Sequence, residues 1–244
     1  MRVQPLSNHK IDFPSKVKIS LEDFPLSVWI VGVGPGDPEY LSLRGKRLIE
    51  EADVVAGFKT ALAVVEKWIK VPTIAIDYRN QDQSLEEVGV AASQGKNCVI
   101  CNYGDPNFSD KEYIERVRRA CGPVEVVPGI SSVQIACAKA GVAMESALFI
   151  TFHKRAPIDD DKEELAETVA RGKRTVVLLP HTWDFMPQAI AKFLIERGIP
   201  GDIPAIIYQK LTLPDESDSK YPLSDLAELE TQFSDLSIMI IPRP

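Results

Sequence analysis

The constraint that most narrows the fold is an alternation of short apolar runs with helix-spaced apolar patterns along most of the chain. Val28-Trp29-Ile30-Val31-Gly32-Val33 is a compact apolar run that ends in a glycine-rich turn. Beyond it, Leu41, Gly45, Leu48, Ile49 and Ala52 recur at spacings of three and four, the period of one helix face, with Ser42 placed to cap it. Strand-like runs return at Asp53–Ala56, Thr73–Ile76, Asn97–Cys101 and Val124–Val127. Helical patterns fill the gaps at Leu85–Ser93 and Glu112–Ala120, the latter with Asp110 as candidate cap. Strand and helix in strict alternation predict an α/β fold, a largely parallel sheet covered by helices.

The second half keeps the rhythm with different punctuation. Ser131–Ala140 reads as a helix, and Ala147–Phe152, Thr175–Leu179, Pro204–Gln209 and Ser237–Ile241 read as strands. Phe185–Arg197 is a further helix, closed by Gly198 with Pro200 just beyond. The acidic run Asp159-Asp160-Asp161, followed by Glu163 and Glu164, suits a helix N-terminus rather than a metal site. A boundary near Gly122-Pro123 divides the chain into a polar, proline-punctuated lead-in at 1–27, one α/β domain at 28–123 and a second at 124–244. A cleft between two such halves is a common place for a ligand.

The net charge of -7 argues against a general affinity for nucleic acid but not against a local basic pocket. No run reaches the roughly 18 apolar residues of a membrane helix, and the lead-in lacks the apolar core of a signal peptide, so a cytoplasmic location is expected. Cys98 and Cys101 carry metal-like spacing, yet on a strand residues three apart point to opposite faces, so they read as buried apolar residues. His9, His153 and His181 contain no pair at zinc-like spacing, and no metal site is expected.

Four motifs stand at strand ends. Gly32-Val33-Gly34-Pro35-Gly36-Asp37-Pro38 lets the backbone turn sharply and a ligand approach closely, but it is neither a dinucleotide fingerprint nor a P-loop. Tyr103-Gly104-Asp105-Pro106-Asn107-Phe108 follows the Asn97–Asn102 run. Asp105 there suits an amine or a ribose hydroxyl, or equally a local turn. Pro128-Gly129-Ile130-Ser131-Ser132 offers small donors at a helix start, or plain capping. Phe152-His153-Lys154-Arg155 gathers cationic and titratable groups suited to an anionic ligand, or reads as a solvated loop.

In this order the first three motifs resemble the tetrapyrrole methylase family, over roughly Val28 to Ile241. The resemblance implies two α/β domains, a homodimer, and S-adenosylmethionine held in the cleft between the domains. The implied cofactor contacts are Pro35, Tyr103, Gly104, Asp105, Phe108, Ser131, Ser132, Leu179 and Gln209. Within the family the chain is similar to the cobalt-precorrin-7 C5-methyltransferase branch, on three stretches: Ala52-Asp53-Val54-Val55-Ala56-Gly57, Phe152-His153-Lys154-Arg155, and Gln209 to Glu216. It departs from the family pattern at Ser109 and Asp110, where an aromatic and a glycine are usual, and at Lys154 and Thr212, which displace glycines.

The implied reaction is C-methylation of a small-molecule tetrapyrrole substrate in cobalamin synthesis, with cobalt present only as part of that substrate. It is a task mainly of positioning and of excluding water. Lys59, Lys154 and Arg155 are the candidate grips for substrate carboxylates, and His153 is the candidate for proton handling. Ending at Pro244, the chain is expected to methylate one carbon and to leave decarboxylation and C15 methylation to a separate protein. Other readings stay open. One is a family member with another substrate, such as a different precorrin position, diphthine or ribosomal RNA. Another is a non-catalytic binder, which Phe58 would suit because related methyltransferases carry an acid there. A plain nucleotide-binding domain is the third.

Overall fold

The computed structural model describes residues 27–243; all but the last residue of the lead-in at 1–27 lies outside these. The first half forms one sheet from β1 (Val28–Gly32), β2 (Val54–Phe58), β3 (Thr73–Ile76), β4 (Cys98–Asn102) and β5 (Glu125–Val127). Its order is β3-β2-β4-β1-β5 and every pairing is parallel. Helices α1 (Leu43–Glu50), α2 (Lys59–Val65), α3 (Gln81–Ser93) and α4 (Lys111–Cys121) make the crossovers. Central β4 is buried at all five positions, as expected of a parallel strand covered on both faces. Cys98 packs with Val28, Ile30 and Leu85 on one face, while Cys101 packs with Val31, Ile49 and Val55 on the other. Strand alternation thus places the two thiols in different core layers.

The second half begins with α5 (Ser132–Ala140) and continues through β6 (Ala147–Thr151), α6 (Asp159–Arg171), β7 (Thr175–Leu179), α7 (Pro187–Glu196), β8 (Pro204–Gln209), β9 (Ser217–Pro222), α8 (Leu223–Glu228) and β10 (Ser237–Ile241). Its sheet runs β6-β7-β10-β8-β9, and only β6 and β7 are parallel. Alternation of element types does not fix strand direction here. β8 turns back directly into β9 without a helix, and β10 inserts antiparallel between β7 and β8. One face carries Phe152, Leu165, Ile190 and Leu194, and the other receives Val133, Ala136 and Cys137 of α5.

Several boundaries differ from the sequence reading for local reasons. Helix α3 starts at Gln81 rather than Leu85, because its first turn is polar yet Gln81 and Ser84 are buried. Helix α7 starts at Pro187, since Phe185 is engaged in a backbone bridge with His181. Strand β9 is too polar to show as a strand; it is an exposed edge, where charged side chains discourage pairing with another chain. Asp110 occupies the N-cap position of α4 but its side chain makes no capping bond.

Candidate functional site at the meeting of three strand ends

Strands β4, β1 and β5 are neighbours in the sheet, so the loops leaving their carboxyl ends emerge side by side. Val33 N–H donates to the Asn102 carbonyl at 2.8 Å, and Gly104 N–H donates to the Gly34 carbonyl at 2.8 Å. The Tyr103 hydroxyl donates to the Pro35 carbonyl, tying the first loop to the second, and burial pushes its pKa up to about 12. A Cβ on Gly32 would lie 2.6 Å from Gly129 N and 2.7 Å from Gly104 O. One on Gly129 would lie 2.4 Å from Gly104 O. One glycine from each of three motifs therefore supplies bare backbone at a single point, and no side chain fits there.

The same loops reach the second half. Asp37 N–H donates to Thr212 Oγ1 at 2.9 Å, the Ser109 and Thr151 hydroxyls lie 2.9 Å apart, and Phe108 meets Phe149 edge to face at 6.1 Å. Between the halves opens a cavity of about 690 Å³.

Of the cofactor positions expected from sequence, Pro35, Tyr103, Gly104, Asp105, Phe108, Ser131, Ser132 and Leu179 all line this cavity. Gln209 does not; it lines a separate shallow depression, where its side chain accepts from Ser234 N–H at 2.8 Å. Ser131 caps α5, its hydroxyl accepting from Val133 N–H and its own N–H donating to Gln134 Oε1 at 2.7 Å. Asp105 accepts from Asn107 N–H at 3.0 Å through one oxygen, a local turn bond.

The four substrate and proton candidates, Lys59, His153, Lys154 and Arg155, line the cavity as well. Lys154 is engaged with Asp161 at 2.5 Å, whereas Lys59 and Arg155 have no ion pair among the described residues. His153 is exposed at the cavity mouth. Loss of water on its enclosed side, with repulsion from His181, holds its pKa below the ordinary imidazole range, while Asp235 acts in the opposite sense. At neutral pH its ring is therefore uncharged and able to accept a hydrogen bond.

Asn102, Asp110, Tyr113, Trp183 and Leu211 also line the cavity, and sequence reasoning gave them no role there. Asn102 reads as the tail of an apolar strand, and Tyr113 as one apolar position of an amphipathic helix. By sequence Asp110 reads as a cap; in the structure its side chain accepts from Asn102 Nδ2 at 2.9 Å, and desolvation pushes its carboxyl up to about 6. Nothing in the local sequence distinguishes a capping aspartate from one turned into a cleft. Among the described residues no group of three His, Cys, Asp or Glu could hold a metal, and no helix is long and apolar enough to cross a membrane.

The family described as Tetrapyrrole (Corrin/Porphyrin) Methylases matches residues 27–227. The chain is 30% identical over 218 residues to a probable cobalt-precorrin-7 C(5)-methyltransferase of Methanocaldococcus jannaschii, covering 87% of this chain and 96% of that protein. It is 31% identical to a cobalt-precorrin-4 C(11)-methyltransferase of the same organism, covering 82% and 80%. A siroheme synthase of Neisseria meningitidis is 30% identical over 88% of this chain, which spans 47% of that longer protein. Among solved structures, the methyltransferase CobJ superposes with a TM-score of 0.72 at 17% identity, covering 90% of this chain and 95% of that one. A uroporphyrin-III C-methyl transferase from Thermus thermophilus, complexed with S-adenyl homocysteine, superposes with a TM-score of 0.67 at 23% identity, covering 88% and 96%. At these identities the structural likeness concerns the fold.

Proposed function

Because this chain belongs to the tetrapyrrole (corrin/porphyrin) methylases, we propose that it methylates a carbon of a corrin precursor, C5 of cobalt-precorrin-7, using S-adenosylmethionine. The observation that carries this reading is the close packing of the Gly32, Gly104 and Gly129 backbones, which brings Pro35, Tyr103 to Asp105, Ser131 and Ser132 onto one cavity of about 690 Å³. Loops that converge this closely line the cavity with small side chains and backbone donors and acceptors, which suits a nucleoside.

Pro35, Tyr103 to Asp105, Phe108, Ser131, Ser132 and Leu179 would hold the nucleoside, while Gln209 faces another depression. When bound, S-adenosylmethionine supplies an activated methyl group on a sulfonium. The protein's own task is to hold the macrocycle carbon near that group and to exclude water. Lys59 and Arg155, which line the cavity, would grip ring carboxylates, Arg155 bidentately, and uncharged His153 would accept a hydrogen bond at the mouth. The reading includes a homodimer, a cytoplasmic location, cobalt carried by the substrate alone, and a separate protein for decarboxylation and methylation at C15. Similarity to a C(11)-methyltransferase and to siroheme synthase favours, as second reading, another position on the same class of ring.

The deciding experiment incubates the protein with labelled S-adenosylmethionine and a panel of cobalt-precorrins, then reads the methylated carbon by NMR. Label at C5 is expected. Label at another carbon selects the second reading. Tight nucleoside binding with no S-adenosylhomocysteine released would refute methyl transfer and leave a binding protein.

A further inference from the structure

We propose that Asn102, Asp110 and Tyr113 form a proton-accepting subsite of the cavity, in which the Asp110 carboxylate takes a proton from the bound tetrapyrrole. The inference rests on the methyltransferase reading and deepens it. The three residues come from the end of β4, the cap position of α4 and its first turn, and all three line the cavity.

Asp110 stands at a helix start yet caps nothing. Its carboxylate is held by Asn102 Nδ2 at 2.9 Å, and Asn102 is itself fixed by a bond to the Tyr103 carbonyl at 3.1 Å. Just before it, Ser109 adopts a φ of 82°, a conformation that non-glycine residues take rarely, and is pinned by the Thr151 hydroxyl of the second half. Backbone strain of this kind persists where surrounding contacts over-determine it. Tyr113 is 9% exposed, and its hydroxyl is the buried side-chain polar atom with no hydrogen-bond partner among the described residues. Buried hydroxyls are ordinarily satisfied, so an orphan facing a cavity points to a partner brought by a ligand.

The surroundings leave the carboxylate without a cation of its own. Asp105 on the preceding loop repels it, and Arg116 further along α4 is bonded to Asp82 of α3 at 2.9 Å. Glu112 of α4 is committed to the backbone N–H groups of Arg155 and Ala156. Lys59 of α2, Asp77 beyond β3, and His153 and Lys154 beyond β6 line the same cavity, and none bonds to Asp110. Desolvation therefore governs the group and pushes it up to about 6, where it is ionised at neutral pH and still basic enough to take a proton.

Methyl transfer forms a carbon–carbon bond as the donor's carbon–sulfur bond breaks, and the electron pair of that bond stays on sulfur. The ring, having gained a methyl cation, sheds one proton. The Asp110 carboxylate accepts it, becomes the neutral acid and passes the proton to solvent. The Tyr113 hydroxyl gives or receives a hydrogen bond at the same ring edge.

The test compares wild type with Asp110→Asn, Asp110→Glu and Tyr113→Phe, each checked for folding by thermal melting. Asp110→Asn is expected to lower kcat by about 10²-fold, to abolish the acid limb of the kcat profile near pH 6, and to leave the calorimetric Kd for S-adenosylmethionine unchanged. Asp110→Glu is expected to recover part of kcat and restore a shifted acid limb; if Asp110→Asn does not fold, this shift decides. An active wild type with an Asp110→Asn variant of equal kcat and unchanged acid limb overturns this proposal alone. A wild type that methylates no tetrapyrrole overturns the function and the proton acceptor together.

Discussion

Gly129→Ala tests the convergence of the three loops most directly. Gly129 has no positive φ, so an alanine there is not strained by its own backbone, and any effect is steric. Its Cβ would lie 2.4 Å from Gly104 O and 2.7 Å from both C and O of Gly32. Ordinary contact needs about 3.5 Å, so at least one loop must retreat by about 1 Å. All three contacted atoms are backbone, held by strand pairing, and none can rotate aside as a side-chain tip would. The cost then falls at the upper end of overpacking penalties, about 3 kcal/mol. For a chain of this size that lowers Tm by about 6–12 °C. A 1 Å displacement of the loops that line the cavity costs roughly 10²-fold in kcat/KM. Gly95→Ala is the control: its φ of 80° imposes strain of about 1–2 kcal/mol, but nothing lies within 4 Å of the new methyl. Thermal melts and steady-state methyl transfer read both variants. A Gly129→Ala variant with wild-type Tm and kcat/KM would refute the convergence, as would a Gly95→Ala variant that lost activity to the same degree.

Three further outcomes follow from the same structure. Asp110 has a folded pKa of about 6, above its ordinary value, so its ionisation opposes folding. The stability it allows is fully present below pH 4 and is lost as pH rises through 6; Asp110→Asn should therefore stabilise the protein by about 1–3 kcal/mol at pH 8 and not at pH 4, read by urea denaturation at each pH. Ser131→Ala removes one half of the α5 capping box and should cost about 1 kcal/mol in the same assay while weakening calorimetric nucleoside binding. Cys98, Cys101 and Cys137 are buried and free, and burial raises their pKa values, that of Cys101 to about 12. A thiol reagent at pH 8 should label them only after denaturation, and rapid labelling of the native protein would contradict the core assignment.

Much of the site was legible because motifs that follow the strands of a parallel sheet leave it on the same edge. Once Val28–Gly32, Cys98–Asn102 and Glu125–Val127 are strands of one parallel sheet, the residues just after them share an edge, and the strand order β4-β1-β5 then sets the motifs at Pro35, Gly104 and Ser131 side by side. What the sequence concealed depends on side-chain direction. Asp110 and Ser131 both stand at helix starts and both read as caps, yet only Ser131 makes the bond. Gln209 ends a strand as Leu179 does, but β10 lies between their two strands and Gln209 faces a different depression.

Sequence by itself determined the α/β class, the fully buried parallel core with its cysteines on opposite faces, and the sharp glycine-bearing turns at the strand ends. These follow from periodicity and local sterics, which act over a few residues. Tertiary structure alone decided the antiparallel pairing of the second sheet, the pairing of Lys154 with Asp161, and the turning of the Asp110 carboxylate toward Asn102 beside the unpartnered Tyr113 hydroxyl. Those outcomes depend on which surfaces meet across the cleft, and desolvation and charge pairing are properties of that meeting rather than of any stretch of chain.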